Sequence, residues 1–258
     1  MVSGRSKVLS VMVLTEDAAK DAYDTVQALA REILKLLVPS VQTDRISFKP
    51  LEDENARRAM HANLWKSTRP LDQPSIRLLI RTIVTELLKP DGFVLYHIDG
   101  DRLWAEHASS DNVRQFHERM FPPIQAALRH ELGKQQVPES AQTERLKRLR
   151  LVVPFYSIEA WLYQNTREAI QLCVEDGCGQ CPPKLEAWRL SRPSLDEVPQ
   201  PKETLCLRDR YNVRLARLGF PSVEVFEAGT SFSHAVTEML DCTEFLDALE
   251  RTSAPTPS

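Results

Sequence analysis

The chain has 258 residues, with 33 Lys and Arg against 36 Asp and Glu, a formal net charge of −3, and 42% hydrophobic residues. This length suits one α/β domain with additions, and this composition excludes global disorder. A slightly negative net charge argues against a protein that binds nucleic acid non-specifically through an overall positive charge. The apolar run at residues 8–14 is too short to span a membrane, and no cleavage pattern of a signal peptide follows it. Five cysteines, an odd number, then favour a cytoplasmic protein without membrane association.

The first half of the chain alternates apolar strands with amphipathic helices. The first and third strands are apolar almost throughout, as in strands that are buried on both faces of a parallel sheet. Pro122 and Pro123 are expected to bend the last helix of this half. The predicted strands cover residues 7–14, 45–48 and 93–98, and the predicted helices 18–37, 74–88 and 111–132. Residues 53–70 are predicted to be helical at first and then a loop.

The second half continues this alternation around an insertion. Three cysteines, five prolines and two glycines in residues 173–201 predict an irregular segment. We therefore predict an α/β fold, a mainly parallel sheet flanked by helices, with an irregular Cys/Pro-rich insertion. The remaining predicted elements are a strand at 151–153, helices at 157–172, 202–218 and 231–249, and a short strand at 223–226. The predicted units are a core (1–172), the insertion (173–201), a helix-strand-helix segment that completes the core (202–252) and a disordered tail (253–258).

Acidic residues follow three of the predicted strands. They are Glu16 and Asp17 after the first strand, Asp99 and Asp101 after the third, and Glu159 six residues beyond the fourth. Ligands of open α/β sheets bind at the carboxyl ends of the strands, so these acids are expected to meet. The glycine between the two aspartates is expected to let the backbone turn so that both carboxylates face one ion. Crowded carboxylates predict Mg²⁺ or Mn²⁺, ions that support phosphodiester cleavage.

Each of these acids also has an ordinary structural explanation. Asp17 or Thr15 would cap the first helix, and Asp99 or Asp101 would form an Asx turn. Because these explanations must hold independently at three strand ends, the joint pattern favours a binding site.

An acid after the first strand, followed by a strand that ends in Asp-x-Asp, resembles the Toprim family of topoisomerases, primases and overcoming-lysogenization-defect nucleases. Residues 154–162, Pro-Phe-Tyr-Ser-Ile-Glu-Ala-Trp-Leu, are similar to a segment of small Toprim-like proteins of bacterial defence loci, which are grouped as a domain of unknown function. The resemblance covers most of residues 7–165, and residues 229–233 are similar to the closing segment of that family.

The resemblance implies roles for the acids. Glu16 would be the acid/base or metal-ligand glutamate, Asp99 and Asp101 the metal aspartates, and Glu159 an additional ligand. In the family the glutamate is usually followed by Gly or Pro, whereas here Asp17 follows it. Which of Glu16 and Asp17 points into the site therefore stays open at this point.

The resemblance also implies a function. The expected activity is that of a Mg²⁺-dependent endonuclease that cleaves DNA or RNA, the effector subunit of an antiviral, anti-phage defence system with an ATPase partner. The alternative is a non-catalytic Toprim-like subunit that binds and regulates that ATPase. Neither a P-loop nor a Gly-x-Gly-x-x-Gly pattern is present, so ATP would be hydrolysed by the partner. The sequence leaves the choice of nucleic acid and the oligomeric state open.

Four cysteines form a second candidate site. Cys173, Cys178, Cys181 and Cys206 follow the pattern C-x4-C-x2-C…C. Four thiolates would hold a structural Zn²⁺, which is useful in a segment without its own core. The alternative is a set of isolated reduced thiols. Cys242 is expected in the core.

Other side chains are candidates for contacts around the acids. His97 shares a strand face with Asp99, so it would either reach the site or be a buried core histidine. We expect phosphate contacts from Arg102, Arg148 and Arg150, a substrate contact from Trp104, and a core position for Trp161. Basic residues in 144–150 and 202–217 predict a phosphate-binding side, or else solvated helix faces, whereas residues 222–250 are acidic.

Overall fold

Four parallel strands form one sheet in the computed structural model, which describes residues 9–17, 21–105, 110–207 and 209–253. The strands are β1 (Leu9–Thr15), β2 (Ile46–Lys49), β3 (Gly92–His97) and β4 (Leu149–Val152). Their order across the sheet is β2-β1-β3-β4, which places β1 and β3 in the middle. The predicted α/β fold with a parallel sheet is confirmed.

Helices connect the strands and cover both faces of the sheet. None of the helices within the described ranges is long and apolar enough to cross a bilayer. In chain order they are α1 (Ala22–Leu37), α2 (Glu54–His61), α3 (Gln73–Leu88), α4 (Asp111–Arg119), α5 (Phe121–Lys134), α6 (Glu139–Leu146), α7 (Glu159–Leu162), α8 (Thr166–Glu175), α9 (Cys181–Leu190), α10 (Pro201–Thr204), α11 (Asn212–Arg217), α12 (Ser222–Glu227), α13 (Ser231–Met239) and α14 (Thr243–Ser253).

Side chains of the inner strands alternate between two hydrophobic cores. On β1, Val11 and Val13 pack with α1 and the helices of residues 159–253. Met12 and Leu14 point to the opposite face and pack with α2 to α6. Because both faces are covered by helices, five of the seven residues of β1 are apolar. The two polar residues are Ser10, whose hydroxyl donates to Oε1 of Glu86 at 2.6 Å, and Thr15 at the end of the strand.

The predicted helix 111–132 is interrupted where its prolines indicated. The Ser110 hydroxyl accepts a hydrogen bond from the N–H of Val113 at the start of α4. The helix is then interrupted at Met120, and Pro122 and Pro123 occupy the first turn of α5. A proline is tolerated there because the first N–H groups of a helix have no partner within it.

Several predicted elements of the second half are wrong in detail. Residues 223–226 are helical, within α12, because an apolar run of four residues does not distinguish a strand from a helix. The segment 173–201 is not irregular throughout. It contains α9, with two prolines in its first turn.

Three predicted helices of this half are broken. The predicted helix 231–249 consists of α13 and α14, with an interruption at residues 240–242. The Nδ2 of Asn165, between α7 and α8, donates to the carbonyl oxygens of Leu215 and Leu218, and so ends the helix predicted at 157–172. The predicted helix 202–218 consists of α10, a 3₁₀ turn at Asp209–Tyr211 and α11. Ser253, predicted as tail, ends α14. The predictions for residues 7–8, 18–20 and 254–258 lie outside the described ranges.

Candidate functional site

A pocket of about 360 Å³ opens where β1, β3 and β4 end. Thr15, His97 and Val152 are paired across these strands, so the three strands end at the same level. The pocket therefore brings all four predicted site residues together. It is lined by Glu16, Asp17, Asp99, Asp101, Tyr156, Ser157, Ile158, Glu159, Gln200, Lys202 and Glu203. Six of these side chains are acids and one is a lysine, so the local potential favours a cation.

Glu16 is hydrogen-bonded to two other segments of the site. Its Oε1 accepts from Nδ2 of Asn63, and its Oε2 accepts from the backbone N–H of Asp99 at 3.0 Å. Burial raises the pKa of the Glu16 carboxyl, the Asn63 hydrogen bond opposes this shift, and the charge of Asp99 adds to it. Asp17 also lines the pocket, but Glu16 is the residue that joins the end of β1 to the end of β3.

Asp99 connects the end of β3 to the segment after β4. Its Oδ1 accepts a hydrogen bond from the N–H of Ile158 at 3.1 Å and lies 3.2 Å from Nε2 of His97. His97 is only 1% exposed, so it is buried and also reaches the site. Burial acts to lower the pKa of His97, but the contact with Asp99 and the charge of Glu16 outweigh this effect and raise it.

Asp101 adopts a left-handed backbone conformation, with φ of +53°, which aspartate tolerates better than most residues. Its N–H donates to the carbonyl oxygen of Tyr156 at 3.0 Å, and its Oδ2 accepts from Nδ2 of Asn112 at 2.6 Å. The Oδ1 of Asn112 accepts in turn from Nζ of Lys66. Burial raises the pKa of Asp101, whereas the Asn112 hydrogen bond lowers it and the charge of Asp99 raises it.

The role expected of Gly100 is wrong. The turn is made at Asp101, and Gly100 is not one of the residues with positive φ. A Cβ atom at Gly100 would lie 3.2 Å from the ring of Phe155. The glycine therefore permits the close approach of this aromatic ring rather than the turn.

Glu159 is 4% exposed, and protein donors engage both of its oxygens. Its Oε2 accepts from the hydroxyl of Ser157 at 2.6 Å, and its Oε1 accepts from Nδ2 of Asn212 at 3.0 Å. These bonds connect the start of α7 to α11 and close one side of the pocket.

The carboxylates offer hard oxygen ligands but do not yet converge on one point. Among the described side chains, the one group of three His, Cys, Asp or Glu residues with ligand atoms all within 4.8 Å of one another consists of three cysteines, which are considered below. Asp99 accepts through Oδ1 and Asp101 through Oδ2, which leaves the second oxygen of each for a cation. The donor types fit Mg²⁺, and coordination by three carboxylates would require rotation of their side chains.

Sequence reasoning missed the amide side chains that hold the acids, namely Asn63, Asn112 and Asn212. A weak signal was present at Asn63, since asparagine is common in the left-handed conformation that this residue adopts after α2, with φ of +46°. Asn112 lies two residues after the capping Ser110. No motif in the sequence pairs these three residues with the acids that they bond.

The three arginines that were predicted to contact phosphate lie in different environments. Arg148 is 6% exposed, pairs with Glu244, and donates to the carbonyl oxygens of Lys89 and Pro90 at 3.0 and 2.7 Å. Arg148 directly precedes β4, and Lys89 and Pro90 precede β3, so this arginine lies at the opposite end of the strands from the acids and its prediction is wrong. Arg150 lines a different pocket along β4. Arg102 is exposed beside Asp101, and its contact with phosphate stays a prediction.

The two tryptophans occupy different environments. Trp161 is fully buried, as predicted, and its Nε1 donates to the hydroxyl of Ser231 at 2.6 Å. The ring of Trp104 packs on Phe155 and His234, with centroids 5.1 and 5.4 Å apart. Trp104 is not among the residues that line the acidic pocket, and a substrate contact from it stays a prediction.

Ion pairs occupy much of the basic segment 202–217. Arg210 pairs with Asp176. Arg214 pairs with Glu168 and Glu175, and Arg217 pairs with Asp24. These pairs favour the alternative of solvated, internally neutralised helix faces.

The cysteines form a group that could hold a metal. The ligand sulfurs of Cys173, Cys181 and Cys206 all lie within 4.8 Å of one another. Cys178 is joined to Cys206 by a disulfide. Burial and the neighbouring Cys181 raise the pKa of the Cys173 thiol to about 12. Cys242 is buried in the core, as predicted.

No protein family matches this chain, and neither the curated proteins nor the solved structures include one with significant similarity to it.

Proposed function

We propose that the protein is a metal-dependent nuclease that cleaves phosphodiester bonds of DNA or RNA. The observation that carries this proposal is the meeting of Glu16, Asp99, Asp101 and Glu159 in one open pocket at the ends of three parallel strands. Ligand sites of such sheets lie at this edge. The resemblance of residues 154–162 to small Toprim-like proteins of bacterial defence loci supports a role as the effector of an antiviral defence system with an ATPase partner. ATP would be hydrolysed by that partner, since the sequence contains neither a P-loop nor a Gly-x-Gly-x-x-Gly pattern.

Asp99 and Asp101 would hold Mg²⁺ or Mn²⁺, with Glu16 and Glu159 as further ligands. When bound, such an ion supplies an activated water and stabilises the leaving oxygen. Alternatively, Glu16 would act as the general base from its position in the pocket at the end of β1; burial raises the pKa of its carboxyl, which is the direction that such a role requires. Asn63 would fix the orientation of the Glu16 carboxylate, and Asn112 that of the Asp101 carboxylate.

The test is cleavage of DNA and of tRNA with Mg²⁺ and with EDTA. Wild-type protein is expected to cleave at least one substrate with Mg²⁺, and the Asp99→Ala/Asp101→Ala variant neither. Asp111→Ala is the matched control, since Asp111 is an exposed acid on α4 that pairs with Arg114. Equal cleavage by the wild type and the double variant would refute the proposal.

One feature favours a second function, that of a non-catalytic subunit which binds and regulates a partner ATPase. Amide, hydroxyl and backbone donors already engage the carboxylates of Glu16 and Glu159. Hydrogen bonds of this kind stabilise a fold without any ion. This function predicts that ATP hydrolysis by the partner responds equally to the wild type and to the Asp99→Ala/Asp101→Ala variant, with or without EDTA.

We also propose that the metal held by the cluster of Cys173, Cys181 and Cys206 is Zn²⁺, because thiolates select soft or borderline ions over Mg²⁺. Protein purified with a reductant and without chelator is expected to contain about one zinc per chain by elemental analysis. Cys181→Ser is expected to lose this zinc, and Cys242→Ala, which changes a cysteine elsewhere in the core, to retain it. Reduced wild-type protein without zinc would argue against the site.

A further inference from the structure

Cys178 lies within the same cluster as the three thiols. Its sulfur is 3.4 Å from that of Cys181. Cys181 lies 3.1 Å from Cys206, and Cys206 lies 3.6 Å from Cys173. Four thiolates around a tetrahedral zinc, with Zn–S bonds of about 2.3 Å, are about 3.8 Å apart. These three distances are about 0.2 to 0.7 Å below that value. Cys178 and Cys206, which are bonded in the disulfide, would have to separate for a zinc site to form.

The backbone around these sulfurs is built as in a thiolate site. The N–H of Cys206 donates to the sulfur of Cys181 at 3.1 Å, which stabilises negative charge on that sulfur. Cys181 is the first residue of α9, so the helix fixes the position of its backbone. Gly177, with φ of +71°, turns the chain after α8 so that the N–H of Cys178 reaches the carbonyl oxygen of Cys173 at 2.8 Å.

The cluster is also shielded by apolar side chains. Cys173 and Cys181 are buried in the same core as Leu185, Leu195 and Leu205, and Cys178 and Cys206 pack against it. A dry shell of this kind protects metal–thiolate bonds from water.

We infer that Cys178 is the fourth ligand of a closed zinc site. We also infer that this site fixes the position of α10, which forms one wall of the acidic pocket. The disulfide between Cys178 and Cys206 and the four-thiolate site exclude each other. They differ by two electrons and two protons, which a dithiol reductant supplies as it becomes a disulfide itself. Zinc then displaces the protons from the thiols.

The link to the pocket is short and direct. Gln200, Lys202 and Glu203, at the start of α10 and within it, line the acidic pocket, and Cys206 follows two residues after the end of that helix. A four-residue helix has almost no stability of its own, so its position depends on its anchors. Besides Cys206, Nζ of Lys184 on α9 donates to the carbonyl oxygen of Thr204 at 3.3 Å. A role for the zinc site in cleavage rests on the proposed nuclease function, because α10 would form one wall of the nuclease site.

The first test is zinc affinity, measured by competition with a chromophoric chelator in the presence of a phosphine reductant. Cys178→Ser is expected to weaken zinc binding at least about 10-fold. Cys242→Ala is expected to leave it unchanged. Wild-type affinity in Cys178→Ser would overturn the inference. Should that variant fail to fold, Co²⁺ bound to the wild type provides the readout. Thiolate charge-transfer bands with the intensity of four sulfurs support the site, and those of three overturn it.

The second test is hydrogen–deuterium exchange of the full chain with and without zinc under reducing conditions. Removal of zinc is expected to speed exchange in peptides covering residues 178–207, including α10, and to leave β1 and β3 unchanged. Unchanged exchange at residues 200–207 would refute the link to the pocket wall. Neither test uses a nucleic-acid substrate, so a failure of the nuclease proposal does not affect these readouts.

Discussion

Glu16→Gln is expected to lower metal-dependent cleavage by about 100-fold or more, the usual loss when a general base or charged ligand is removed. The substitution removes the negative charge and the proton-accepting oxygen while it keeps the shape of the side chain. The measurement is the single-turnover cleavage rate with saturating Mg²⁺, on whichever nucleic acid the wild type cleaves.

The fold is expected to accept this substitution. A glutamine can still accept the Asp99 N–H with its oxygen, but its NH₂ group then faces the NH₂ group of Asn63. The Oδ1 of Asn63 is buried without a hydrogen-bond partner, so a flip of this amide lets it accept from the new NH₂. The unfolding free energy should therefore change by less than about 1 kcal/mol, measured by urea denaturation.

Asp17→Asn is the matched control, because Asp17 is the neighbouring acid in the same pocket. We expect it to retain most of the activity, since Glu16 is the acid that bonds to Asp99. A larger loss in Asp17→Asn than in Glu16→Gln would reverse the assignment of the two acids.

Gly92→Ala is expected to destabilise the protein by about 3 kcal/mol or more, as overpacking against fixed backbone does. Gly92 is the first residue of β3, and a Cβ there would lie 1.9 Å from the carbonyl oxygen of Glu86 and 3.0 Å from the Cβ of Lys89. The end of α3 would have to move away from the sheet. Chemical denaturation of the wild type and the variant measures this difference.

Gly133→Ala makes the same chemical change in α5, where nothing lies within 4 Å of the added atom. It should stabilise the protein by up to about 1 kcal/mol, because alanine is the better helix former. Both variants restrict the unfolded chain to the same extent, so their difference isolates the contact with α3. Similar stability of the two variants would show that α3 and β3 can separate at little cost.

Strongly periodic segments were predicted well. The apolar runs at β1 and β3 were identified because both faces of these strands are buried, and the single apolar stripe of α3 because the helix packs on one side. Weak or short patterns failed. The run at 223–226 is part of α12, and Pro182 and Pro183, read as signs of irregular chain, begin α9.

The sequence by itself determined the parallel α/β fold and the position of acids after β1, β3 and β4, because the position of each strand along the chain follows from local patterns. Only the tertiary structure decided which partners hold these acids. Asn63 and Asn212 lie 47 and 53 residues from the acids that they bond, and Asn112 reaches Asp101 from the next helix along the chain. It also decided that Arg148 stabilises the opposite end of the sheet and that α10 closes the pocket beside the cysteines. Such contacts depend on the folded geometry, and no spacing in the sequence encodes them.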